Sequence, residues 1–248
     1  MRRVQRISTF RQAGFYASLL VSMGLVTIAA IGLGWVYKGM VTRDQWPIRW
    51  LEIDGEFDRV SAEQVRAGVS QFVGGSYFTV NLSDVREAAY RQPWVARVLV
   101  QKRWPDTVTV HVSEFEPVAH WTRGRLVSLE GEVFTVPGAD EIQGLPWLDG
   151  TDVQQSEVFS SWQSFNRILI PTGLEIEQLK LDQRGAWYLE LNNGTKVDVG
   201  RERAVERLTR MVESWSLLTK DVAKRPLGID LRYTNGFAVR WAAEENNG

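Results

Sequence analysis

Two histidines and no cysteine leave this chain of 248 residues little material for nucleophilic or metal chemistry. A serine nucleophile needs a base within hydrogen-bond reach, and zinc needs three or four histidine, cysteine or carboxylate ligands. His111 sits between Val110 and Val112 in the alternating run TVTVHVSEFE (107–116), so its ring is expected to face solvent or a neighbouring helix. His120 stands beside Trp121 and reads as a packing or hydrogen-bonding residue. Glu114 and Glu116 fall on one side of that strand, about 7 Å apart at about 3.3 Å per residue, a spacing a carboxylate pair can use. A charged strand edge is the plainer reading. No phosphate-cradling glycine loop follows a strand. Asn193-Gly194-Thr195 has the form of a glycosylation acceptor but reads better as a turn. No catalytic, cofactor-binding or metal-ligating residue is assigned, and no cofactor is expected.

What is left is binding by exposed backbone, and the elements that would position it come next. Residues 12–37, QAGFYASLLVSMGLVTIAAIGLGWVY, carry no charge and are bounded by Arg11 and Lys38. At about 1.5 Å per residue a helix of that length crosses about 30 Å of hydrocarbon with a little tilt. Trp35 and Tyr37 fall at its far end, where amphipathic rings sit at the headgroup level. A cleaved signal peptide would have a shorter apolar core followed by small residues, and a buried core helix would carry a polar side. The segment is read as a transmembrane helix. Arg2, Arg3, Arg6 and Arg11 precede it with no acid among them, whereas Asp44 dilutes Lys38, Arg43 and Arg49 behind it; the tail is expected to stay cytoplasmic. A net charge of -1 and a charged fraction of 24% exclude a polybasic nucleic-acid surface and a disordered ectodomain. The absence of cysteine excludes a disulfide framework. The 11 tryptophans exceed what an ordinary core needs and point to interaction surfaces.

Residues 48–55 read as a strand ended by Gly55. Ser61 with Gln64 three residues on forms a capping box, Val60 and Val65 a hydrophobic staple, and Val65, Val69 and Phe72 an apolar stripe ended by Gly74-Gly75. A second helix starts at Asn81, turns Leu82, Val85 and Ala89 inward and ends before Pro93. Residues 94–104 read as a strand with Ala96, Val98 and Val100 on one face; residues 107–116 put Val108, Val110 and Val112 inward. The order strand, helix, helix, strand, strand predicts two helices on one face of a three-stranded sheet.

The run Pro93-Trp94-Val95, Arg103-Trp104-Pro105, Val110-His111-Val112-Ser113-Glu114 and Pro117-Val118-Ala119-His120-Trp121 resembles the POTRA module of the bacterial cell-division family FtsQ, called DivIB in Gram-positive bacteria. The resemblance runs from the membrane helix to about Trp241. The fold class is therefore α+β: a single transmembrane helix, a POTRA module (β-α-α-β-β) and a C-terminal mostly-β domain with flanking helices. The expected division is a cytoplasmic tail (1–11), transmembrane helix (12–37), connector (38–47), POTRA domain (48–117), C-terminal β-domain (118–241) and disordered polar tail (242–248).

Beyond Pro117, residues 125–134 read as strand with a turn at Glu130-Gly131, residues 146–148 as a short apolar knot, and residues 156–170 as a helix ended by Pro171. Residues 174–182, 185–191 and 196–199 read as strands, the last two joined at Asn192-Asn193-Gly194. A helix over 202–218 is predicted to present Val205, Leu208, Met211, Val212 and Trp215 to the sheet. A final pair, 228–233 and 237–241, meets at Asn235-Gly236, a strong hairpin signal.

In the family the last strands of the C-terminal domain receive a segment of FtsB, which arrives with FtsL. The resemblance carries this to residues 231–241 here and puts Tyr233, Asn235, Gly236 and Trp241 at the partner interface, with Arg184 as a further contact by position. The family pattern often has Ser where Asn235 stands and Ala where Phe237 stands. For Tyr233 and Trp241 both interface anchoring and closure of the core stay open. The resemblance implies a non-enzymatic divisome scaffold in the cell inner membrane at the septum, its N-terminus cytoplasmic and its C-terminus periplasmic, with other division proteins meeting the POTRA module. Two alternatives are a membrane-tethered periplasmic enzyme of the cell wall, which needs converging carboxylates, and an outer-membrane assembly or secretion POTRA protein, which needs a barrel larger than the residues after Pro117 allow.

Overall fold

The chain's own order of elements explains its two sheets. The computed structural model describes residues 7–41, 46–220 and 226–242, with side chains from residue 18 onward except that of residue 41. The tail residues Arg2, Arg3 and Arg6, the flanking Arg43 and Asp44, and residues 243–248 of the polar tail lie outside the described residues. Helix α1 (Ile7–Val41) contains the predicted span and runs past it at both ends, because helical hydrogen bonding does not stop where apolar character does. Its stretch Ser18–Met40, 23 residues, is the one among the described residues long and apolar enough to cross a membrane. The hydroxyls of Ser22 and Thr27 donate to the carbonyls of Leu19 and Met23, at 2.9 and 2.8 Å, so neither depends on water.

The chain falls into two compact units, 1–114 and 115–248. In the first, β1 (Trp50–Gly55), α2 (Ala62–Val69), α3 (Leu82–Tyr90), β2 (Val95–Arg103) and β3 (Thr107–Glu114) give the predicted order. The sheet order is β1-β3-β2, with β1 parallel and β2 antiparallel to β3. The register aligns Ile53, Val110 and Val100 across the three strands, and this apolar face meets Val65, Val69, Val85 and Ala89 of the helices.

The capping box at Ser61 and Gln64 forms in full, and Asn81 accepts the Ser83 N–H. Two details depart from the sequence pattern. Helix α2 ends at Val69 and tightens into a 3-10 turn over Ser70–Phe72, short of the two glycines. In β2 a bulge between Val95 and Arg97 shifts the alternation, so Val95 is buried where Ala96 was expected.

Among the described residues the second unit is built on one sheet of nine strands, ordered β12-β11-β10-β9-β8-β7-β4-β5-β6. Its first strands are β4 (Pro117–Trp121), β5 (Leu126–Ser128), β6 (Val133–Phe134) and β7 (Trp147–Asp149). The apolar knot at 146–148 is thus a strand: β7 runs parallel to both β4 and β8 and lies between them. Three residues are too few for alternation to show, which is why it read as a knot. Helix α4 (Gln155–Leu169) then crosses to β8 (Ile176–Leu181), β9 (Trp187–Leu191) and β10 (Lys196–Gly200). Helix α5 (Ala204–Leu218) crosses in the same way to β11 (Pro226–Asp230), parallel to β10, and β12 (Ala238–Trp241) returns antiparallel.

Both crossovers pack on the same face, over the row Leu179, Leu189, Val197 and Ile229 set by the strand register. Leu208, Met211 and Trp215 of α5 are buried there, but Val205, in the first turn, is 50% exposed because it precedes the covered part of the helix.

Candidate functional site

The end of the nine-stranded sheet is an open strand. β12 pairs with β11 through Trp241–Pro226, Arg240–Gly228, Val239–Ile229 and Ala238–Asp230, and no described strand lies on its other side. Only alternate residues of an antiparallel strand turn their main-chain groups toward a given neighbour. Two of these four residues therefore offer an N–H and a C=O outward, about four hydrogen bonds to an arriving strand.

The connection from β11 to β12 is wider than the Asn-Gly signal predicts. The last pair is Asp230–Ala238, so residues 231–237 form the loop, and Gly236 does not adopt the positive φ a tight primed turn requires. Tertiary contacts shape the loop instead. Leu231 is fully buried and donates its N–H to the Asp198 carbonyl at 2.8 Å; Phe237 packs against the core at the other end. Two α5 arginines then hold carbonyls of the loop and of the neighbouring β10. Arg207 donates to Val199 and Arg232 at 2.7 and 3.3 Å, Arg210 to Thr234 and Tyr233 at 2.9 and 3.3 Å. Gly200 makes room for this. Its φ is +77°, and a Cβ there would lie 2.7 Å from the Arg207 guanidinium and 2.9 Å from the Arg232 side chain.

With its backbone held, the loop presents side chains. Tyr233 is 57% exposed, Asn235 is exposed and Gly236 half-exposed; Trp241, at the far end of β12, is 38% exposed. Neither aromatic ring is shut inside the core. Tyr233, Asn235 and Gly236 are thus brought together in one loop, and Trp241 stands three residues beyond the start of β12. Arg184 is not part of this group. It lies exposed in the β8–β9 turn, three to four strands away, roughly 14–19 Å at about 4.8 Å per strand. The Asp182 carboxylate shapes that turn by accepting the Arg184 and Ala186 N–H groups, each at 2.8 Å. The Ala186 N–H holds Asp182 below the usual carboxylate range.

The solvent face of the sheet beside this edge carries a groove of about 510 Å³ over β8 to β12. On this face, opposite the buried row, the register sets charged residues side by side: Glu190 faces Lys196, and Asp198 stands directly opposite Asp230. Arg232 joins these two like charges, 3.2 Å from Asp198 and 2.7 Å from Asp230. Desolvation pushes the Asp198 carboxyl up, Arg232 pulling it back and Asp230 adding to the rise. Hydrogen bonding from Arg232 holds Asp230 down.

Arg207, Arg210, Arg232 and this charge row were missed in the sequence. A signal for the first two exists: each arginine immediately precedes a buried residue, Leu208 and Met211, at the border of the α5 apolar stripe.

The residues with chemical potential have structural uses. Glu114 accepts the N–H groups of Arg59 and Val60, both at 2.9 Å, and so caps the approach to α2. His111 meets Asp54 at 3.0 Å on an exposed face. His120 is buried, 2.9 Å from the Ile142 carbonyl and stacked on Trp147 at 4.1 Å. Among the described residues no three metal-ligating side chains cluster.

A membrane-length helix, a β-α-α-β-β module and a mixed sheet with an edge strand at its end define a class of two-unit proteins with one membrane-length helix. The comparisons agree and are narrower. Residues 46–115 match the POTRA domain of FtsQ type, and residues 119–244 match the C-terminal region of cell division protein FtsQ/DivIB. A cell division protein FtsQ from Xanthomonas campestris is 38% identical over 221 residues, 89% of this chain and 78% of that relative. Relatives of the same name from Allochromatium vinosum and Burkholderia pseudomallei are each 34% identical, over 90% and 94% of this chain and 89% and 93% of their own. The chain belongs to the FtsQ/DivIB family, a family of cell-division proteins and not of enzymes.

Proposed function

We propose that this protein is a scaffold of the division machinery at the septum, held in the inner membrane by α1, which receives a strand of FtsB, arriving with FtsL, along β12. The observation that carries the reading is the outer side of β12, on which no described strand lies, next to a loop whose backbone Arg207 and Arg210 hold in place. The N-terminus is cytoplasmic and both folded units are periplasmic; the all-positive tail ahead of the helix supports that orientation. The POTRA unit meets other division proteins. Tyr233, Asn235, Gly236 and Trp241 form the contact, and Arg184, in the separate β8–β9 turn, is a further one.

Magnitudes show why backbone alone would not suffice. About four main-chain hydrogen bonds at a net 0.5–1.5 kcal/mol each give roughly 2–6 kcal/mol. Association costs an estimated 4–15 kcal/mol of lost freedom. The surplus has to come from exposed aromatic anchors and from tethering of both partners in one membrane, which raises their effective concentration. Hydrogen exchange of the purified protein with and without the FtsB segment tests the reading. Protection of the β12 amides, together with co-purification of FtsB and FtsL, is expected. Unchanged exchange along 238–241 at a saturating concentration of the segment would refute it.

A further inference from the structure

The β12 edge leaves the tryptophans of the first unit unexplained. Six large apolar side chains are exposed between residues 46 and 114, and four of them, Trp46, Trp50, Phe78 and Trp104, gather in three linked segments. Ile48 and Tyr77 tie the entering chain to the turn before α3, through N–H bonds to the Gly75 carbonyl (3.4 Å) and from Tyr77 to the Trp46 carbonyl (2.9 Å). Arg49 and Trp50 tie it to the β2–β3 turn, both donating to the Asp106 carbonyl at 2.9 and 3.3 Å. Trp46 meets Phe78 edge-on at 5.8 Å, and the Lys102 ammonium lies 5.7 Å from the Tyr77 ring centre. This is also the end that meets α1. The Ser76 hydroxyl donates to the carbonyl of Met40, the last residue of the apolar span, at 2.7 Å. Six residue steps from Met40 to Trp46 extend no more than about 21 Å.

We infer that this end of the POTRA unit rests on the headgroup layer of the bilayer that α1 crosses, with Trp46, Trp50, Phe78 and Trp104 at headgroup depth and Arg49 and Lys102 turned to lipid phosphates. Tryptophan and tyrosine concentrate at that depth because an apolar ring with a polar atom suits a half-wet layer, and long basic side chains reach phosphates from there. A core role does not account for rings left 64% and 66% exposed, as Trp50 and Trp104 are. The inference needs α1 to be membrane-spanning but is independent of what binds β12.

The lack of cysteine makes single-site labelling direct. Nitroxides would be placed on F78C, W104C and D58C in the full chain, reconstituted in phosphatidylethanolamine and phosphatidylglycerol vesicles. Position 58 adjoins Arg59, which is bound to Glu114 at the far end of β3, and the eight residues of β3 separate the two ends by roughly 24 Å. A nickel-chelating headgroup lipid is expected to relax the labels at 78 and 104 at least threefold more than the label at 58. Trp50→Ser with Arg49→Ser should reduce that ratio for both labels, and both positions carry exposed side chains whose replacement leaves the core intact. Equal relaxation at all three sites would overturn the inference. So would labels at 78 and 104 that respond to aqueous nickel alone, or that are shielded only when another protein is added.

Discussion

β2 and β12 are both outermost strands, and they treat that position differently. β2 runs for nine residues, carries Arg97, Lys102 and Arg103, and has a bulge near its start. Long edges invite stray pairing, and charges and bulges are the devices that prevent it. β12 has four residues, with Arg240 as its single charge between Val239 and Trp241. Its restraint is shortness, which limits nonspecific pairing but leaves room for a matched segment. The POTRA unit guards its β2 edge and the C-terminal unit leaves β12 less guarded, so the docking proposed above can be tested by comparing the two edges.

The largest effect should separate the two edges directly. Tyr233→Glu is expected to weaken capture of the FtsB segment by about 30-fold or more, the scale of one hot-spot anchor of about 2 kcal/mol. Leu99→Glu on β2 should leave capture unchanged. Tyr233 and Leu99 are 57% and 53% exposed, so both variants should melt as the parent does. Titration calorimetry with the purified segment reads both. Equal losses from the two variants would erase the distinction between the edges.

A smaller effect tests whether the loop must be held beforehand. Arg210→Ala removes the donors to the Thr234 and Tyr233 carbonyls. Hydrogen bonds from a charged group contribute about 1.5 kcal/mol or more, so hydrogen exchange over 232–237 should quicken about tenfold and affinity should fall by a similar factor. Faster exchange with unchanged affinity would mean that the segment orders the loop itself.

The first unit could be read almost whole from its residues, and the second only in part. Caps, staple and alternation are local signals, and in residues 48–116 they sit where the helices and strands form; the β2 bulge escaped because a one-residue shift has no composition of its own. β7 escaped because three residues cannot display a period, and its place between β4 and β8 depends on two distant strands. Asn235-Gly236 marked the chain reversal, but Leu231 in the core and the α5 arginines decide its width. The resemblance singled out Tyr233, Asn235 and Gly236, which the fold places in one exposed loop. The arginines that hold that stretch are remote in sequence, and no local pattern joins them to it.

Glu114 is the POTRA counterpart of Arg210, a side chain that fixes a loop through its backbone, here by two N–H groups. Glu114→Gln keeps the shape and one acceptor but loses the charge, and should lower stability of the first unit by about 1 kcal/mol. Denaturant unfolding followed by hydrogen exchange in 59–66 would measure it. Capture at β12 should not change, and if it did the two units would be coupled in a way their separate cores do not explain.

The smallest effect comes from the outer faces of the two sheets. On the POTRA sheet Arg103 meets the opposite charge of Glu52, and the His111 ring meets Asp54 within hydrogen-bond distance. On the C-terminal sheet Asp198 faces Asp230, with Arg232 joining both. Desolvation raises the folded-state pKa of Asp198, so ionised Asp198 opposes folding once the pH passes its unfolded value of about 3.9, and fully so above its folded value. Asp230 is held down, so its contribution is present above the unfolded value and is lost as pH falls through the folded one. Asp198→Asn removes the penalty and leaves the Arg232–Asp230 pair in place. The C-terminal unit of that variant should therefore melt slightly higher at pH 7, by about 2 °C for a change of up to about 0.5 kcal/mol, and the difference should vanish near pH 3. A lower melting temperature at pH 7 would mean that the attraction of Arg232 outweighs desolvation, and that the acidic pair strengthens the groove floor.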